Sequence, residues 1–184
     1  HLEILEEAQG FGFSGITGSA FVGGIAGYCE AIDGIFNCSV EGGVISGERA
    51  AGTIVGELAS SKLDGCVATS VVKASQSTGG LVGVAKGNSV IRNSVSAVTV
   101  DAVGGTIVGI NDGNLVITDI LSTGSSKGGD SIAVGSDNGE LTIEKAIIGG
   151  TNAGASENAV SADDTSFVYS DVTALGTSDK DVAS

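Results

Sequence analysis

A four-residue phrase returns five times: Gly24-Ile25-Ala26-Gly27, Thr53-Ile54-Val55-Gly56, Gly80-Leu81-Val82-Gly83, Thr106-Ile107-Val108-Gly109 and Ile132-Ala133-Val134-Gly135. Its closing glycines, Gly27, Gly56, Gly83, Gly109 and Gly135, are 29, 27, 26 and 26 residues apart. A fixed period of this length marks a repeat architecture, in which each unit forms one turn of a stack. A second column keeps the same phase: Ile35, Leu63, Ile91, Ile117 and Ile143, each followed three residues later by Cys38, Cys66, Ser94, Ile120 or Ala146. Equivalent positions hold their chemical character while their identities drift, as stacking one coil on the next demands.

The units read as strand and turn. Thr53–Val55, Val67–Val72, Val90–Val100 and Leu115–Leu121 are rich in valine, isoleucine and threonine, whose branching at Cβ suits a pleated surface. Between such runs lie Asp33-Gly34, Lys86-Gly87-Asn88, Asn111-Asp112-Gly113-Asn114 and Asp137-Asn138-Gly139, the residues that tight turns require. No repeat sustains apolar residues at helical spacing between caps. The 31 glycines suit corners and close coil approach, and the absence of proline suits central ladder strands. The expected fold is all-β, a right-handed β-solenoid (parallel β-helix-like) of about five coils, ~25 Å along its axis at ~4.8 Å per coil. One structural domain is expected, with an N-terminal cap or partial coil over residues 1–19, repeats over 20–150, and a cap strand and polar tail over 151–184. Phe11, Phe13 and Phe21 are candidates for a plug over the open core end, and Phe167–Val172 for a last strand.

Gly80-Leu81-Val82-Gly83, with the companion patterns Ile35-Phe36-Asn37-Cys38 and Ile91-Arg92-Asn93-Ser94, resembles the GLUG repeat family, whose name spells Gly-Leu-hydrophobic-Gly. Leu63-Asp64-Gly65-Cys66 is a weaker copy, and the last two units lack both the Asn and the small polar residue. The resemblance covers residues ~20 to ~150. It implies an exported, modular, non-catalytic segment of a large bacterial surface protein, such as those in which these repeats lie beside immunoglobulin A-cleaving metallopeptidases. The motif residues it matches are structural, so no functional residues carry over.

A net charge of −14 with eight basic residues argues against nucleic acid and anionic membranes as partners. The acidity reads as a solvated surface or as a site for cations. No run of 18 apolar residues occurs, so no membrane insertion is expected in this segment. The missing methionine suggests a piece of a longer chain, with further domains of the same parent as neighbours. Cys38 and Cys66 share one column within disulfide range, read either as bonded or as two stacked thiols, and Cys29 has no counterpart. His1 is the one histidine, at a terminus, which leaves a Ser-His-Asp or Cys-His device nothing to rely on.

The carboxylates Asp112, Asp119, Asp130 and Asp137 are spread over turns, with Asp119 in one column with Asn93 and Lys145. No catalytic residues and no cofactor are expected. Asp112 and Asp137, on in-phase turns, are the candidate ligands should Ca²⁺ bind along that edge. The alternation Gly24, Thr53, Gly80, Thr106 gives no regular outward threonine array of the kind an ice-binding face needs. The chain thus reads as an adhesion-associated scaffold or stiff spacer, extracellular or on the bacterial cell surface, with a host or matrix protein or a glycan as partner. Alternatives are a carbohydrate-active solenoid and a structural fibre segment.

Overall fold

The computed structural model describes residues 15–128, 132–152 and 167–175. Of the cap or partial coil expected over residues 1–19, residues 1–14, including Phe11 and Phe13, lie outside the described residues, as do Asp130 and the tail from 176. The described part is a β-solenoid of about five turns, built from strands paired in parallel, and contains no helix. Every pairing joins one coil to the next, so backbone hydrogen bonds run along the axis.

The repeat seen in the sequence is the register of the ladders. Ala26 faces Val55, Val55 faces Val82, Val82 faces Val108 and Val108 faces Val134. In the second column Ile35, Leu63, Ile91, Ile117 and Ile143 are direct Cα partners in turn, and Tyr169 follows Ile143. The strand Phe167–Leu175 thus adds a further level, aligned on Glu140–Gly149. Longer early coils accommodate their extra residues in turns and in a bulge at Gly42-Gly43, where φ is +69° and +70° and the register shifts between Glu41 and Val44.

Aliphatic columns fill the interior. Leu63, Ile91, Ile117 and Ile143 have no exposed surface, nor do Ile54, Leu81 and Ile107 of the phrase itself. Burying each such side chain is worth about 1.5–3 kcal/mol. The first coil is less covered: Ile25, Tyr28 and Phe36 are each about half exposed and Ile32 is open to solvent. Hydroxyl groups share the interior. Thr53 Oγ1 lies 2.6 Å from Ser70 Oγ, and Thr106 Oγ1 lies 2.7 Å from Ser122 Oγ and donates to the Ile132 carbonyl. The coil between carries Gly80, where Ser96 Oγ would lie 2.5 Å from an added Cβ. The Thr/Gly alternation before the motif is therefore an internal packing pattern.

The closing glycines allow close approach of backbones. A Cβ at Gly83 would lie 2.5 Å from the Gly56 carbonyl oxygen and 3.0 Å from Ala51 backbone atoms. At Gly109 it would lie 2.5 Å from the Gly83 carbonyl oxygen. Four residues before the first four of these glycines stand Gly23, Gly52, Gly79 and Gly105, each packed on the carbonyl three residues ahead; at Gly52 a Cβ would sit 2.3 Å from the Val55 oxygen. The repeated unit is thus a Gly-x-x-x-Gly bend, its two arms drawn together where neither has a side chain.

Candidate functional site

The two turns proposed to carry calcium ligands are in register, but their carboxylates are staggered. Asn111 faces Asp137, so Asp112 stacks beside Asn138 and each acid meets an amide. The Asn111 side chain donates to Asp137 Oδ1 at 2.7 Å and to the Glu140 carbonyl, and the Asn138 amide donates to Asp112 Oδ1 at 2.9 Å. Asn111 is buried, Asp137 half-buried and Asp112 exposed. Asn111 Oδ1 and Asp137 Oδ1 each accept the backbone N–H two residues on, the local bond that makes these residues good turn formers. The edge is an amide–carboxylate ladder that fastens turn to turn. Among the described residues no three His, Cys, Asp or Glu side chains gather as a metal site.

The second motif closes a corner. Asn37, Gly65, Asn93, Asp119, Lys145 and Asp171 form one column, and all six have φ between +49° and +67°. Asparagine and glycine suit this left-handed conformation best. The weaker copy at Leu63-Asp64-Gly65-Cys66 meets the same backbone demand by glycine, with the Asn37 amide oxygen lying where a side chain on Gly65 would sit. The residue after the corner ties it: Cys38 Sγ donates to the Phe36 carbonyl, Cys66 Sγ to the Asp64 carbonyl and Ser94 Oγ to the Arg92 carbonyl. Cys29, Cys38 and Cys66 are free thiols, and burial pushes the Cys66 thiol above the ordinary cysteine range. The column of Asn93, Asp119 and Lys145 noted in the sequence is this row of corners.

Charged side chains pair along the axis. Asp101 sits between Lys73, at 3.2 Å, and Lys127, one coil to either side, and the two ammonium groups (Lys127 first) hold its carboxyl below the usual range. Asp64 accepts from Asn93 and from Arg92, each at 2.8 Å; the Asn93 bond does most to hold its carboxyl below the usual range, burial opposes it, and the bond and charge of Arg92 add to the lowering. Glu57, 6% exposed, takes Lys86 at 3.0 Å.

A groove that the repeat pattern did not reveal opens beside Phe21. The side chain expected in a plug lies instead under two cations, with Arg49 4.9 Å and Lys86 5.9 Å from its ring centre. Gln76, Glu57, Val84, Ile110 and Asp112 complete the walls. Phe21 and Arg49 belong to successive coils, since Phe21 faces Ala50. Neither residue type recurs in its column, so periodicity carries no signal of the site; the scarcity of basic residues was the one available cue.

These features define the class of the molecule as a β-solenoid repeat protein. No protein family, curated protein or solved structure matches the chain.

Proposed function

We propose that this chain is a non-catalytic repeat module of a bacterial cell-surface or secreted protein, serving adhesion as a scaffold or stiff spacer. The observation that carries this reading is the unbroken parallel register from Ala26 to Val134 and from Ile35 to Tyr169. A ladder continuous along the axis resists bending and stretching because each coil must break its bonds to both neighbours before it can move. The charge ladders and amide–carboxylate turns reinforce the same direction from outside. The GLUG-like motif supports an exported setting, and the acidic surface suits an edge-bearing fold that must stay soluble.

Antibodies raised against the folded chain test the setting. They are expected to label intact, unpermeabilised cells of the source organism or to detect the parent protein in its medium. Labelling only after permeabilisation would refute an exposed module.

A further inference from the structure

The groove beside Phe21 joins a cation that has no ion-pair partner among the described residues, an aromatic ring and hydrogen-bonding side chains. Lys73, Lys86, Arg92 and Lys127 are engaged by Asp101, Glu57 and Asp64. Arg49 is exposed and forms no ion pair with a described residue; its guanidinium lies over the Phe21 ring, 4.9 Å from the ring centre. A ring face attracts the positive charge, yet it accepts none of the in-plane N–H bonds for which guanidinium is built. Phe21 therefore holds Arg49 in place and leaves its donors open for an oxyanion, which a carboxylate meets with two parallel bonds. Lys86 and Glu57 neutralise each other in the wall below.

The rest of the lining narrows the ligand. The Gln76 amide and the Asp112 carboxylate supply both donors and acceptors, as sugar hydroxyl groups require, beside the apolar Val84 and Ile110. The groove encloses about 140 Å³, less than the roughly 300–1,000 Å³ of sites that engulf a small molecule. It has room for one unit of a longer, extended ligand. The molecule's overall negative charge opposes a polyanion at long range, but beyond about 8 Å that field is screened at physiological salt.

We propose that this groove is a carboxylate subsite for a uronic-acid polysaccharide, in which Arg49 takes the sugar carboxylate and Gln76 and Asp112 bond ring hydroxyls. The proposal rests on the reading of the chain as an adhesion-associated module and adds the class of its ligand; a spacer without this subsite would still show the surface labelling described above.

Calorimetric titration with oligogalacturonate at 0.15 M salt tests it. A Kd of the order of millimolar is expected for one small subsite. Arg49→Gln, an exposed position whose variant is checked for an unchanged melt, should weaken binding at least about tenfold. Lys145→Gln, which removes a cation at a distant corner, should leave it unaltered, and the methyl-esterified polymer should not bind. Absence of binding to the unaltered protein would overturn the proposal, as would equal binding by Arg49→Gln. Equal affinity for poly-L-glutamate would overturn the assignment to a sugar.

Discussion

At the scale of single residues, two backbone demands explain the motifs. The first is close approach. Because backbone rather than a flexible side chain surrounds Gly83, Gly83→Ala should destabilise the fold by about 3 kcal/mol or more, measured by chemical denaturation; a loss under 1 kcal/mol (roughly the scatter of surface substitutions) would show that the coils part easily. The second is the left-handed corner. Lys145 holds φ +49°, a conformation that costs most L-residues about 1–2 kcal/mol and asparagine less. Lys145→Asn should therefore stabilise the protein by about 0.5–1 kcal/mol, and a destabilised variant would mean that the lysine side chain contributes more than its backbone costs.

At the scale of elements, neighbouring coils are fastened by side-chain ladders as well as by the core. Asp101 bridges three coils through Lys73 and Lys127, and its pKa is depressed below 3.8 in the folded state. A depressed folded-state pKa means that the ionised form favours folding. That contribution is complete above the unfolded value, falls as pH drops below it, and is gone once pH passes beneath the folded value. Asp101→Asn should thus lower the melting temperature slightly at pH 7, and the two proteins should converge as pH falls through the range below 4. An undiminished gap at pH 2 would contradict the ladder.

The coil phase was legible because stacking imposes the same burial on every level: Ile35 to Ile143 are direct partners in the ladders, and the residues just before the closing glycines, Ala26 to Val134, are partners in the same way. The meaning of Asn in the second motif was less legible, since Gly65, Asp119 and Lys145 satisfy the same backbone angle with unrelated chemistry. The staggering of Asp112 and Asp137 was legible in that same phase, since the 26-residue step from Gly109 to Gly135 sets Asn111 opposite Asp137; what the sequence did not show was that each acid would bond the neighbouring amide. Least legible was the Phe21–Arg49 groove, a diagonal contact between coils whose columns share no motif.

At the scale of the whole molecule, the central claim is a stack in which one coil advances the chain by one strand spacing. Ser39, Val67, Val95, Leu121, Ile147 and Thr173 form a single column on successive levels, and Ser39, Leu121, Ile147 and Thr173 are exposed. With Cys29, Cys38 and Cys66 replaced by serine, spin labels can be set in pairs on Ser39 with Leu121, Ile147 or Thr173. Electron–electron distance measurement should give narrow distributions centred near about 14, 19 and 24 Å, rising by ~4.8 Å for each coil added. Broad distributions, or distances that fail to rise in equal steps from one level to the next, would contradict the stacked solenoid.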